Sequence, residues 1–399
     1  MSGHTMTVRA LSTAIAGAVW IVVVAGAASA VDPPRTVGEI LDGTLHDIAA
    51  TPEKVWLAQG RNLAVLDPKT GKRLADDGLS PYPRPLAAIE YEKQSGTLIV
   101  ATNDTVYVHL PNGTLKTWSQ EEQHGIADIK TWPGTQKLFV ISIRRLLVLD
   151  YSGDTITTVS EVTPPAGASY FLRLDLGEVD GDLMAFLSAQ MASERRRWKH
   201  GLVIVNLDSA NGCADPFAYP SPWNPIEAHR NPRTTVWDVQ VVPDLIGEKD
   251  YAYVACGIAG QLTKLDITDP AAPRAVGKID LGVDSDRDGK RDFDVFKVLK
   301  DPTRDRLYVA SANLIHIVDP KTDKELGSKN VGFHDAGDRD MALIESPDGR
   351  RHLWTATHHQ VSYTIKCIDV TGDAPRMLIE RWGMSSADGG VAVPEWQSV

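Results

Sequence analysis

The residues best suited to chemistry in this 399-residue chain fall into three groups: an acidic loop, a scatter of histidines and a recurrent aspartate. The loop is Asp284-Ser285-Asp286-Arg287-Asp288-Gly289, continued by Lys290-Arg291-Asp292-Phe293-Asp294. Carboxylates at alternate positions followed by Gly suit a calcium loop, because alternate side chains converge on the ion and Gly permits the sharp turn. Val295 stands where an EF-hand would supply its closing Glu, so Asp292 or Asp294 has to substitute. The expectation is a calcium site on Asp284, Asp286, Asp288 and Asp292 that stiffens a junction rather than catalyses, against a solvated acidic loop.

The histidines concentrate between strand-like runs, at His46, His124, His200, His229, His334, His358 and His359, together with the basic insertion Arg195, Arg196, Arg197 and Lys199. Adjacent residues on an extended strand point to opposite sides, so His358 and His359 read as a surface pair and not as two ligands of one ion. Asp47, Asp128, Asp238, Asp294 and Asp340 each precede an apolar residue at the start of a run (Ile48, Ile129, Val239, Val295, Met341). Such carboxylates gathered in a ring attract a cation or raise one another's pKa. The plainer reading, which takes precedence, is that each accepts backbone N–H bonds and locks neighbouring units together. The chain contains no Gly-x-Ser-x-Gly elbow, His-Glu-x-x-His, phosphate loop or Cys-x-x-Cys-His haem site.

These residues must be positioned by an all-β scaffold. After Val31 the sequence carries almost no helical periodicity; it carries short apolar runs bounded by Gly, Pro, Asn and Asp at intervals of roughly ten residues. The stretch YAYVACGIAGQLTKLDITDPAAPRAVGKIDLG (251–282) recurs, with variations, as RLYVASANLIHIVDPKTDKELGSKNVG (306–332) and HLWTATHHQVSYTIKCIDVTGDAPRMLIERWG (352–383). Seven such units start near residues 46, 87, 126, 170, 236, 293 and 340, and most have a strand that ends in an apolar-Asp pair before a polar turn. Four-stranded units in a single array predict a seven-bladed β-propeller over 31–399, each blade covering both faces of its neighbours. That explains why a middle run such as LVIVNLD is apolar almost throughout.

The fifth and seventh units resemble the LVIVP-type repeat of bacterial extracytoplasmic propellers, on Tyr253-Val254-Ala255, Gly260-Gln261-Leu262 and Leu265-Asp266-Ile267-Thr268-Asp269-Pro270. The first and sixth, with Val-Leu-Asp-Pro-Lys-Thr-Gly and Ile-Val-Asp-Pro-Lys-Thr-Asp, are similar to YVTN and quinoprotein-type propeller repeats. The seventh departs from the pattern at Gly372-Asp373. The resemblance covers most of the chain and implies a blade, not a chemistry.

Residues 1–30 read as a secretory signal peptide: Arg9, an apolar core from Ala14 to Ala27, and Ala28-Ser29-Ala30 as the cleavage site. The expected location is therefore periplasmic or secreted, with no stable membrane anchor after cleavage. A net charge of −11 with few aromatics argues against nucleic acid as a partner. Of the three cysteines, Cys256 and Cys367 lie in apolar strands and read as buried thiols; export also permits a Cys213–Cys256 bridge.

In a propeller, the connections between blades and those between second and third strands emerge on the same face, around the channel mouth. The expected binding face comprises His46, Asp47, Asp128, Arg195, Arg196, Arg197, Trp223, Trp237, Asp238, Asp294 and Asp340. The function expected from the sequence is a scaffold that binds a protein, polysaccharide or small ligand there. The alternative is an enzyme of the lactonase, quinoprotein-type dehydrogenase or lyase kind with a metal or cofactor at the mouth, using His124, His334 and Arg339.

Overall fold

A computed structural model describes residues 45–74, 81–120, 125–191, 200–229, 234–246, 249–257, 260–281, 295–311, 314–331, 339–346, 348–358 and 362–384. They form seven antiparallel sheets, each made of strands consecutive in sequence. Six sheets have four strands and the first has three, Leu45–Ala50, Val55–Gln59 and Asn62–Leu66. Beyond that third strand a Leu66–Arg73 bridge and a hydrogen bond from the Tyr82 N–H to the Arg61 carbonyl (2.8 Å) keep the following chain along the same edge.

The first strands of successive sheets are Leu45–Ala50, Leu86–Glu92, Ile126–Thr131, Ala168–Val179, Thr235–Ile246, Val295–Lys300 and Arg339–Glu345. They touch one another in cyclic order, and the seventh returns to the first. The sheets are therefore the blades of a closed seven-bladed propeller around a central channel. Its one α-helix among the described residues is a single turn, Pro225–His229.

Alternation along the second strands explains the ring. In Thr97–Thr102, all of it buried, Leu98 and Val100 pack into a core shared with the first blade, whereas Ile99 and Ala101 pack into a core shared with the third. Every neighbouring pair of blades shares such a core, including the last and the first, where Trp354 and Ile365 meet Leu45 and Leu57. An apolar run here is a strand with two buried faces. Outer strands such as Leu115–Ser119 face solvent and alternate between exposed and half-buried.

The recurrent Asp after the third apolar run is turn chemistry. Asp67, Asp150, Asp266, Asp319 and Asp369 each accept, on Oδ1, the N–H of the residue two places on (2.7, 2.8, 3.1, 2.8 and 3.0 Å). In the fourth blade Asn206 does the same for Asp208 (2.7 Å). The side chain closes the turn that a backbone carbonyl would otherwise close.

The cysteines answer a point that the sequence leaves open. Cys213, Cys256 and Cys367 are all free and buried, with no Cys213–Cys256 bridge. Cys213 packs in the core between blades three and four and Cys256 in that between four and five, where each behaves as a small apolar side chain.

Candidate functional site: the channel mouth

Strand pairing defines one equivalent position near the start of every first strand. It is held by Asp47, Ala88, Asp128, Arg173, Asp238, Lys297 and Asp340, which pair with Ala58, Ala101, Ile141, Ser188, Ala255, Ala310 and Ala356. In six blades a register shift falls just before this position. In the sixth blade the shift falls between Val295 and Lys297, so Val295 is the counterpart of Leu45 and Lys297 that of Asp47. The ring position of the sixth blade is thus held by Lys297, and Asp294, read from sequence as a member of the ring, lies outside the described residues.

The odd-numbered blades carry the aspartates, and three of these grip the next blade. Asp47 accepts the Ile48 N–H (2.8 Å) and the Ile89 N–H of blade two (2.6 Å). Asp128 accepts the Ile129 N–H and the Leu174 N–H of blade four, both at 2.9 Å. Asp238 accepts the Val298 N–H of blade six (2.9 Å). One position further in the cycle, Asp175 accepts the Val241 N–H of blade five (3.0 Å) and the Gln240 amide (3.0 Å). These contacts are the interblade locks of the plainer reading.

Cations complete the belt. Lys297 Nζ lies 3.2 Å from Asp340 Oδ1 and 3.7 Å from Asp238 Oδ1. Lys130 pairs with Glu90 (3.4 Å), whose charge raises the lysine's pKa well above its usual range against the opposing effect of burial. Burial pushes Asp175 up to about 7 and also raises Asp238. Asp47 and Asp340 are hydrogen-bonded to each other where blade one meets blade seven. Burial first, and then the Asp340 charge, raises Asp47 well above the carboxylate range; burial also pushes Asp340 up, but the Lys297 charge, the hydrogen bond from Asp47 and the Lys130 and Arg173 charges together hold it below that range. One proton serves the pair. These side chains line a channel cavity of about 210 Å³.

Above it, at the end where the first strands begin, lies a cleft of about 520 Å³, within the range that takes a small organic ligand. Its polar lining comprises His46, Asn103, Arg173, Ser188, Gln190, His200 and Trp237, with no Asp or Glu. His200, expected in a loop, opens the strand His200–Asn206 and is 5% exposed. Its Nδ1 faces the Val236 carbonyl at 3.3 Å, so Nδ1 carries the proton, and the ring stands edge-on to Trp237 (centroids 5.4 Å apart, planes at 88°). Burial lowers its pKa, and the imidazole is neutral at pH 7 with Nε2 as its lone-pair nitrogen.

Of the residues expected on the binding face, His46 and Trp237 line the cleft, while Asp47, Asp238 and Asp340 line the channel cavity below it. Trp223 is elsewhere: it exchanges backbone hydrogen bonds with Leu202 (3.0 and 2.8 Å) and packs on the core between blades four and five. This is the outer edge of a blade, reached because the linker runs back along that strand. His124, Arg195, Arg196, Arg197, His334, His359 and the loop residues Asp284, Asp286, Asp288 and Asp292 lie outside the described residues, as do the side chains of His229, Arg339 and His358. Among the described residues no cluster of three His, Cys, Asp or Glu side chains is arranged to hold a metal. Arg173 and Asp175 were missed as site residues, and only the strand register reveals them, since their blade lacks the Asp that marks the odd-numbered blades.

No family model matches the chain, and no curated protein does. Among solved structures it is similar to dihydro-heme d1 dehydrogenase NirN in complex with DHE (TM-score 0.53, 12% identity, 86% of this chain and 66% of that one). It is also similar to a streptogramin B lyase (TM-score 0.52, 12% identity, 80% of this chain and 92% of that one). The chain thus spans just under two thirds of the first and most of the second. At this identity the likeness is one of fold, and the fold is the β-propeller.

Proposed function

We propose that this chain is an exported β-propeller that binds a small ligand in the cleft at its channel mouth. The observation that carries the proposal is a division of labour between the two cavities. The carboxylates of the channel are engaged by backbone N–H groups and lysines, whereas the cleft above is a ligand-sized concavity with polar side chains from several blades. Export is supported by the sequence of residues 1–30. Among the described residues no helix is long and apolar enough to cross a membrane.

The test is a thermal-shift and native mass spectrometry screen of small molecules on the mature protein and on Ala87→Trp. Ala87 is half-buried and lines the cleft, so an indole there fills it. Ligands of the wild type are expected to be lost from this variant while its circular dichroism stays unchanged; hits that bind both equally would place the site elsewhere.

One observation favours a second reading, an enzyme. A neutral imidazole whose Nδ1 is fixed by a carbonyl, in a cleft that also holds an Arg, is equipped to accept a proton. Both similar structures are named as enzymes. For any ligand that the protein converts, His200→Gln is expected to abolish turnover and leave binding within a few-fold; retained turnover removes this reading.

A further inference from the structure

The register shifts beside the belt leave one residue in each of six blades without a partner across the ladder. These are His46, Ala87, Ala127, Leu172, Trp237 and Phe296, in blades one to six in that order. The first five line the cleft. Phe296, 9% exposed, packs beside Trp237 (centroids 6.0 Å apart). One structural position, immediately before the belt residue, thus supplies a side chain to the cleft from each of blades one to five.

From blade two to blade six that position is apolar throughout: Ala, Ala, Leu, Trp, Phe. Ala87, Ala127, Leu172 and Trp237 are half-buried, so each reaches the cleft as well as the protein. The fold does not require this. On a strand that merely faces solvent the exposed positions are polar, as at Lys324, Glu325, Ser328 and Asn330 on the outer strand of blade six. Half-exposed apolar side chains gathered in a concavity mark a surface that a ligand covers. Charge is not what the cleft offers. No Asp or Glu lines it, and its single Arg, Arg173, acts through its charge on Asp238 and Asp340 in the belt beneath.

We infer that the cleft takes a small molecule with a broad apolar face, laid across the bulged residues of blades two to five, and that these residues rather than the charged belt decide which ligand fits. This rests on the cleft being the binding site and names what that site selects. Ala87 and Ala127 leave room beside blades two and three, and Leu172 and Trp237, the larger side chains of the arc, supply most of the apolar contact.

The test is calorimetric titration of the mature protein, at several temperatures, with naphthol as a neutral planar apolar probe and glucose as a neutral polar one. The expected result is saturable binding of naphthol with a negative heat-capacity change, the mark of apolar burial, and no binding of glucose. Leu172→Asn should weaken naphthol about tenfold. Ala127→Asn should weaken it as well, a check that survives if Leu172→Asn fails to fold. Leu115→Asn replaces an apolar residue that is 52% exposed on the outer strand of blade two, outside the cleft, and should change nothing. Binding of glucose in place of naphthol, or no naphthol binding at all, overturns the apolar class; if Ala87→Trp still removes the ligands found by screening, the location of the site stands. Naphthol binding that is lost in Ala87→Trp but unchanged in both Asn variants overturns the role of the bulged residues. Naphthol binding that persists in all three variants overturns the inference and the location of the site together.

Discussion

Replacing Asp128 with Ala tests whether the channel aspartates act as locks between blades. The carboxylate is 7% exposed and accepts two N–H groups at 2.9 Å, one from Ile129 on its own strand and one from Leu174 on the next blade. Both donors belong to buried residues, so truncation strands two N–H groups at about 1–3 kcal/mol each. Relief from burying a charge offsets part of this, and the net loss expected is about 3–5 kcal/mol. Asp128→Asn keeps one acceptor oxygen and should lose about half as much. Urea denaturation reads the total, and amide exchange locates it: the Leu174 amide should exchange much faster in Asp128→Ala, whereas amides between blades five and six should not. A loss below about 1 kcal/mol, or an unchanged Leu174 amide, would refute the lock and show that apolar packing alone joins these blades.

Asp175 gives a pH signature. Its folded pKa of about 7 lies above the ordinary value of 3.8, so the native state holds a proton that the unfolded chain has released. The contribution is complete below about pH 4 and lost as pH rises through 7, at most about 4 kcal/mol, and Asp175→Asn should flatten this part of the stability profile. Asp47→Asn keeps a donor to Asp340 but gives up one of the two oxygens that accept the Ile48 and Ile89 N–H groups, so it should lose about 1–3 kcal/mol at pH 7, and Asp47→Ala more, as read by denaturant midpoints. Calcium retained on the run from Asp284 to Asp292 is expected to make the melting temperature fall in EDTA. Asp284→Asn with Asp286→Asn should reproduce that fall; a melting curve indifferent to EDTA removes the site.

The fold was legible because two local rules repeat. Turn-closing carboxylates such as Asp266 and Asp319 must follow the third strand of a blade, and second strands such as Thr97–Thr102 must be apolar on both faces. Either rule alone is weak, and their recurrence in one order counts the blades. The channel was half legible. Asp47, Asp128, Asp238 and Asp340 stand out because each precedes an apolar residue, but in the sixth blade the same pattern pointed to Asp294 while a shift between Val295 and Lys297 moved the register. A strand's pattern does not reveal which residue bulges, because the bulge is set by pairing with its neighbour. His200 was misread for a related reason. It follows a basic insertion that looks like a loop, and its burial depends on Trp237 in the next blade.

The belt of channel residues has a property that belongs to counting. Aspartates occupy blades one, three, five and seven, and Ala, Arg or Lys the blades between, so the belt alternates like two colours around a ring. Two colours cannot close on an odd number of positions: somewhere two of a kind must stand side by side. In this ring the mismatch falls between blades seven and one, where Asp340 meets Asp47, and a shared proton resolves it. Inserting one Ala-, Arg- or Lys-bearing blade at that seam, or deleting one of the two Asp-bearing blades that meet there, would heal the mismatch and remove the need for a shared proton. Parity thus ties the number of blades to the protonation of the seam, and a six- or eight-bladed ring built by the same alternation would close on pairs of unlike neighbours throughout.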